Sequence, residues 1–541
     1  MITVQVSVSC ACMGIIYISK FYCMETLVNL TSYLRKRKVK SFVKTAERIF
    51  NGKSKMGLFY QALLDDREDV CTETLAKKMD FPDSNDAGFR NVKKDLKNWL
   101  VNLVFVVDPK DVKYGDLESA YFYCWREWAA AKVLLLKGAT VAGMELAQKV
   151  FKRAERYQFT ELAMHASRTL RMHYATRAAD QRRYKLYDKH FNYYFNLFNW
   201  ENQAENSYTS LMIHYSASRS SKPDISKEAF ACFAALKPAL KEYRSHRLHR
   251  FILFIELMGH MAKHDYPRAV QVCDKALQEL STYQHISKQG LSSFIYQKLV
   301  CHTKLREFDK GWEVVQTGLD IETPGSFNWF KNRELSIILA FHSKAYNKAY
   351  QIYKEASNHP NFKKLEPVSA EMWKIINGYI QYLKFTERIQ YGKGEKAPKR
   401  FRLGKFLNEV PTFSRDKRGM NIAIIVLQIL FTIGRHNYNK SIDSIEALES
   451  YCTRYLRRDD TFRSNCFIKM LLQIPIYGFQ RRYVEHNAQK HADRLQSLPL
   501  AEAPQGVDIE LIPYEDLWPM VLDSLGKRAY WHGDWRNRRY H

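Results

Sequence analysis

The sequence is low in glycine and proline, with 22 and 15 among its 541 residues. Loop-rich all-β folds, disordered chains and fibrous repeats use these residues heavily, so the composition argues against all three. Closely spaced cysteine pairs are also scarce, because the ten cysteines include one C-x-C and no C-x-x-C. This spacing offers no paired ligands for zinc and favours reduced, mostly buried thiols in a cytoplasmic protein over a disulfide framework.

The motifs of the common enzyme classes are missing as well. Residues 52–54, Gly-Lys-Ser, match the tail of a phosphate-binding loop, but Glu47 stands where the motif requires glycine. Neither G-x-G-x-x-G nor G-x-S-x-G occurs. His260 and His264 are one helical turn apart, but Met261 replaces the glutamate of a metalloprotease, so His260 is predicted to pack inside a helix pair. We therefore expect no enzyme activity, no cofactor, no metal and no small-molecule substrate.

The first 19 residues carry no charge. A signal peptide has basic residues before its apolar stretch, whereas the first basic residue of this chain is Lys20. We expect residues 1–23 to be a disordered leader or the product of a mis-called start, with translation beginning at Met24. The next uncharged apolar run, 421–434, is too short to span a bilayer and predicts a buried helix, so no membrane partner is expected.

The pattern of apolar residues from position 116 onward has the period of a helix. Apolar side chains recur at i, i+3, i+4 and i+7 in stretches such as 251–264 and 334–346. Hairpin turns flanked by alternating residues are missing from this region. The sequence therefore predicts an all-α fold.

An internal repeat accompanies this helical pattern. A large residue is followed by small residues at +3 and +10, and the copies begin 42 residues apart (266 to 308) and 38 apart (308 to 346), which is the length of a helix pair. The four copies are Tyr266, Ala269 and Ala276; Phe308, Gly311 and Gly318; Tyr346, Ala349 and Ala356; and Met144, Ala147 and Ala154. A looser fifth copy, Tyr438, Ser441 and Ala447, is one residue shorter. Small residues two helical turns apart let a partner helix approach closely.

This spacing resembles the tetratricopeptide repeat, whose second helix carries small residues seven apart after an aromatic at the turn. The chain departs from that family nine residues before the turn residue, where the family prefers glycine and this sequence has Leu135, Leu257, Leu299 and Ile337. The resemblance implies an α–α superhelix, a tetratricopeptide-like solenoid, over 116–390 and 421–500, and a role in binding proteins. Residues 401–421 and 454–475 also resemble a bacterial family of helical-repeat proteins to which no activity is assigned.

The remaining segments differ from the repeats in composition. Residues 24–115 predict a basic helical cap, in which 75–79 and 89–100 could alternatively form a helix-turn-helix or a winged-helix remnant. Residues 391–420 are predicted to be a basic linker, and residues 501–541 a C-terminal segment with a basic, aromatic tail.

Positive charge is the strongest chemical signal, at 84 − 57 = +27. It is concentrated in residues 24–60, 391–418 and 527–541. The candidate interaction residues are Arg35, Lys36, Arg37, Lys38, Lys399, Arg400, Arg402, Arg454, Arg457, Arg458, Arg536, Arg538 and Arg539.

These basic residues allow three interpretations: a solvated face, contact with an acidic protein, or contact with nucleic acid. Trp531 and Trp535 could stack on bases beside the tail arginines, although aromatics are frequent throughout the chain. We expect a non-catalytic interaction scaffold that presents a curved helical surface to an acidic or helical peptide segment. The alternative is a helical-repeat protein that binds RNA, or DNA, through its basic segments.

Overall fold

A computed structural model describes residues 26–31, 54–65, 72–106, 116–217, 222–286, 288–390, 401–409, 420–455, 462–503 and 509–526. Every regular element in these ranges is helical, and the β-bridge found there joins Gln480 to Gly526. The predicted all-α fold is therefore confirmed. The chain forms two compact units, residues 1–202 and 203–541. Within each unit the helices pack against their neighbours in chain order, as in an α-solenoid.

The described helices of the first unit are α1 (Lys55–Asp65), α2 (Thr72–Lys78), α3 (Ala87–Val106), α4 (Asp116–Leu136), α5 (Thr140–Tyr157), α6 (Thr160–Thr176) and the beginning of α7 (Gln181–Ala217). Helices α1 to α3 share a core of their own, in which Phe59 and Phe89 stack with centroids 5.5 Å apart. Asp86 accepts hydrogen bonds from the N–H groups of Gly88 and Phe89, which fixes the start of α3. Helices α4, α5 and α6 then pack one on the next.

The second unit continues with helix pairs. Its helices are α8 (Lys222–Leu236), α9 (Ala239–Glu242), α10 (His246–Ala262), α11 (Tyr266–Ser281), α12 (Ser292–Leu305), α13 (Phe308–Ile321), α14 (Phe327–His342), α15 (Tyr346–Asn358), α16 (Pro367–Phe385), α17 (Leu403–Glu409), α18 (Met420–Gly434), α19 (Tyr438–Tyr455), α20 (Phe462–Ile476), α21 (Arg481–Gln496) and α22 (Tyr514–Asp523). One hydrophobic core extends from α12 to α22. Helix α17 lies within the predicted linker and packs its Phe406 into this core.

The repeat residues lie at equivalent places in the helix pairs. The large residue is the first residue of the second helix in α11, α13, α15 and α19. In α11, α13 and α15 the small residues that follow it are all buried: Ala269, Ala276, Gly311, Gly318, Ala349 and Ala356. Burial on one face two turns apart is the arrangement that close helix packing requires.

Two copies, those that begin at Met144 and at Tyr438, differ from the expected pattern. Met144 lies inside α5, which begins at Thr140, so Met144 does not stand at the turn, although Ala147 and Ala154 are fully buried. In the fifth copy Ala447 is exposed and Leu448 is buried. The buried position is thus at +10 from Tyr438 as in the other copies, and a leucine occupies it.

The turns between paired helices share one hydrogen-bond pattern. Before α13, Arg306 has the left-handed φ of 60° and its N–H bonds the carbonyl of Thr303 at 3.2 Å. The next N–H, that of Glu307, bonds the carbonyl of His302 at 3.0 Å. His264, Lys344 and His436 occupy the same left-handed position in their turns, with φ of 62°, 59° and 56°. These crossed bonds satisfy the last carbonyls of the first helix and set the direction of the second.

Most of the residues that the sequence predicts to be buried are buried in the structure. Helix α18 buries nearly its whole length, as expected for the apolar run at 421–434. Trp329 and Trp373 are buried between helices, and Trp312 is half-buried with the Lys348 ammonium 3.3 Å from its ring centre. The described cysteines are free thiols, and those that are buried are Cys124, Cys273, Cys301 and Cys466.

Candidate interaction surfaces

The first helices of the pairs in the second unit are covered on more than one side. We call α10, α12, α14, α16, α18 and α20 the first helices. In α14 every residue from Glu334 to His342 is buried. A helix buried all round needs neighbours on all sides. The second helices supply one of these neighbours, and the end of the chain supplies another.

The C-terminal segment, which we define as residues 509–526, packs on the later first helices, from α14 to α20. Its apolar side chains belong to the same core as α14, α18 and α20, among them Leu517 and Val521. Tyr514 stacks on Phe467 of α20 with ring centres 4.3 Å apart and 6° between the planes. The hydroxyl groups of Tyr514 and Ser464 lie 3.0 Å apart. Part of the predicted C-terminal tail is therefore integral to the core of this unit.

A buried ion pair joins the C-terminal segment to α20. Arg463 donates to the two carboxylate oxygens of Glu510 at 3.0 and 2.7 Å, and the side chains of both residues are fully buried. The remaining guanidinium N–H groups bond Glu515 at 2.6 Å and the carbonyls of Leu498 and Leu495 at 2.8 and 3.3 Å. Burial raises the pKa of the Glu510 carboxyl, and the Arg463 guanidinium opposes that shift. All five donors of this arginine are satisfied, as a buried guanidinium requires.

The acidic residues of the C-terminal segment are matched by basic residues of the helix pairs. The segment contains four acidic residues and no lysine or arginine. Besides the Arg463 cluster, Lys344 lies 2.7 Å from Asp516. Asp523 accepts from Arg388 at 3.0 Å and from Arg481 at 3.1 Å. Both ends of the segment are thus held by opposite charges.

Two buried polar residues of the first helices bind main-chain carbonyls near the end of the chain. Lys304 of α12 donates to the carbonyls of Leu500 and Ala503, each at 3.3 Å. His342 of α14 donates through Nε2 to the carbonyl of Glu510 at 3.0 Å. Burial lowers the pKa of His342 to about 3, so this imidazole is neutral at physiological pH. These contacts recognise the backbone conformation of the chain end rather than its side chains.

Helix α7 in the first unit presents a different surface. Tyr194, Leu197 and Glu201 form its buried side, and Glu201 accepts a hydrogen bond from Thr160 at 2.9 Å. The opposite side consists of exposed residues at helical spacing, which we call the α7 face: Arg182, Lys185, Lys189, Asn192, Tyr193 and Asn196. This surface lies outside the charge runs that the sequence singled out.

Most of the predicted basic interaction residues lie outside the described residues. These are Arg35, Lys36, Arg37, Lys38, Lys399, Arg400, Arg457, Arg458, Arg536, Arg538 and Arg539. Arg402 is exposed immediately before α17, and Arg454 lies near the end of α19. The interaction role of these residues stays a prediction.

His260, the histidine that the sequence places inside a helix pair, contacts neighbouring side chains rather than a cluster of possible metal ligands. His260 is largely buried, with Nδ1 3.4 Å from Asp265 and its ring against Phe230. In the described ranges, no three His, Cys, Asp or Glu side chains come together as metal ligands could. Among the described helices, none combines the length and the apolar character needed to cross a bilayer.

Comparison of the chain with protein-family models, with curated proteins and with solved structures finds no match.

Proposed function

We propose that the protein is a non-catalytic, tetratricopeptide-like scaffold of the cytoplasm that binds acidic, partly helical segments of partner proteins. One observation carries the proposal: the chain's own acidic C-terminal segment lies on the first helices with each of its carboxylates near a basic side chain. A surface that accepts such a segment from its own chain has the chemistry to accept a similar one from a partner.

The recognition would combine an apolar ridge with charge pairs. Leu517 and Val521 lie one helical turn apart in α22 and enter the shared core, which is how an amphipathic helix occupies a groove. Arg463 would fix the register because its planar guanidinium selects a carboxylate in one orientation. The exposed pairs, such as that of Arg481 with Asp523, would add mainly to the rate of association.

The proposal is tested by exchange of the C-terminal segment. A site for a specific protease is introduced within residues 504–508 of the full chain, which is cleaved after folding. A fluorescent peptide of residues 509–526 is then added. We expect the peptide to bind the cleaved protein and not the intact one, because only cleavage lets the resident segment leave.

A matched peptide with Gln or Asn in place of Glu510, Glu515, Asp516 and Asp523 is the control. We expect it to bind at least about tenfold more weakly, since removing one partner of a buried charge pair costs about 2 kcal/mol or more. Equal binding of the two peptides would contradict charge recognition. Failure of the cleaved chain to exchange its segment under any condition that keeps it folded would overturn the proposed function.

A further inference from the structure

The α7 face carries three exposed basic residues, Arg182, Lys185 and Lys189. Between Gln181 and Asn196 the helix contains one acidic residue, Asp188, which lies beside the face and is bound by Arg171 at 2.9 Å. Asn192 also donates to Asp188, at 3.3 Å. The carboxylate is therefore engaged by Arg171 and Asn192, and among the described residues neither Lys185 nor Lys189 forms an ion pair.

Helix stability does not account for this charge. The first turn of α7 holds Gln181, Arg182 and Arg183 and no acidic residue. Cations at a helix N-terminus oppose the helix dipole and cost a few tenths of a kcal/mol each. The charge of Arg183 is balanced by Asp180, whose carboxylate lies 3.5 Å from its guanidinium. Arg182 and Lys185 are exposed to solvent. Their position suits attraction of an anion from solution.

The other side chains of the face favour nucleic acid over an acidic protein. One apolar side chain, Leu186, is exposed between Arg182 and Lys189, whereas the positions one turn beyond Lys189 are Asn192, Tyr193 and Asn196. A single leucine does not form the apolar stripe that an amphipathic acidic helix would need to bury. Amide groups can hydrogen-bond base edges, and an exposed aromatic ring can stack on a base. Tyr193 is 37% exposed and is supported edge-on by Tyr194, with ring centres 5.1 Å apart.

We propose that the α7 face binds single-stranded nucleic acid. Arg182, Lys185 and Lys189 contact phosphates, Tyr193 stacks on a base and Asn196 bonds a base edge. The face from residue 182 to residue 196 extends for about 21 Å along the helix, which is enough for several nucleotides. This inference concerns the first unit and does not rest on the proposed function.

The test measures binding of the full-length protein to a fluorescein-labelled oligouridylate of 20 nucleotides at increasing salt. We expect affinity to fall steeply with salt. In the K185A/K189A variant the slope of log affinity against log salt should flatten by about 1.4, because each lost phosphate contact on a single strand contributes about 0.7. The matched control is K227A/K241A, which removes two exposed lysines of the second unit and should leave the slope unchanged.

Tyr193 separates base stacking from simple charge attraction. Tyr193→Ala should weaken binding at least about fivefold, the effect of losing one stacked base, whereas Tyr193→Phe keeps the ring and should bind normally. Circular dichroism confirms that each variant is folded. If the control pair weakens binding as much as K185A/K189A, or if the replacement of Arg536, Arg538 and Arg539 by Ala alone abolishes it, the α7 face is not the site. If polyglutamate competes as well as RNA and Tyr193→Ala has no effect, the partner is an acidic protein and the inference is wrong.

Discussion

The guanidinium of Arg463 contacts both carboxylate oxygens of Glu510, and solvent reaches neither side chain. Arg463→Met should therefore lower the free energy of unfolding by about 3–5 kcal/mol, because it leaves a carboxylate buried without its partner. Urea denaturation followed by circular dichroism measures this loss.

The double variant R463M/E510M is the control for this prediction. Replacement of both charges by apolar side chains should recover a large part of the stability, since a buried ion pair and a packed apolar pair are often close in free energy. Arg388→Ala, at a more exposed pair with Asp523, should cost less than about 1 kcal/mol. Similar losses of unfolding free energy for Arg388→Ala and Arg463→Met would show that burial does not make the Arg463–Glu510 pair more important for stability.

The repeat packing predicts a large effect of added volume. Ala269→Leu and Ala349→Leu should each destabilise the protein by about 1–3 kcal/mol, because both alanines are fully buried between helices. Ala447→Leu is the matched control, since this alanine is exposed, and its effect should stay within about 0.5 kcal/mol. Equal effects of all three substitutions in thermal denaturation would refute the assigned register.

This register could be predicted from the sequence because close packing of two helices restricts the residue type to Ala, Gly or Ser. The restriction is not absolute, because in the fifth copy Leu448 occupies the buried position, whereas the sequence pattern of small residues predicts Ala447, which is exposed. Charge runs predict interaction sites less well, since charge alone does not distinguish a solvated face from a binding face.

The sequence does not show that Arg463, unlike the other arginines of its region, forms a buried ion pair. Its position on the same face of α20 as Cys466, Phe467 and Met470 was the available signal, because a basic residue in a buried stripe needs an acidic partner. The partner itself lies 47 residues further along the chain and becomes identifiable only in three dimensions.

Stability should depend on the protonation of buried histidines. Burial lowers the pKa of His342 to about 3 and that of His246 to about 4, both below the value of about 6.5 in an unfolded chain. The unfolded state then binds protons before the folded state does, so stability present above pH 6.5 is lost as the pH falls towards the folded values. Between pH 7.5 and 5.5 each histidine should reduce the free energy of unfolding by about 1.4 kcal/mol.

Urea titrations of the wild type and of His342→Gln at these two pH values test this dependence. The variant should lose about 1.4 kcal/mol less than the wild type over the same interval. An identical pH dependence in the two proteins would mean that His342 does not titrate differently in the folded and unfolded states.

Thiol reactivity should follow burial. Burial raises the pKa of Cys301 to about 12 and that of Cys124 to about 11, so both thiols are protonated and shielded at neutral pH. Cys232 is only half-buried. Peptide-resolved mass spectrometry after brief maleimide treatment should show Cys232 modified well before Cys124 and Cys301. Labelling of all three at one rate, equal to that in urea, would contradict the described burial.

The binding of the chain end to the first helices has a consequence for synthesis of the protein. Lys304 and Leu500 are separated by 196 residues, and His342 and Glu510 by 168. At about 5–20 residues per second, Lys304 is synthesised about 10–40 s before Leu500 and Ala503, whose carbonyls it binds. During that interval the nascent chain presents an uncovered hydrophobic surface to the cell. Completion of the core of the second unit thus requires synthesis of residues 509–526, and we expect chains truncated before residue 509 to expose apolar surface that chaperones and proteases recognise.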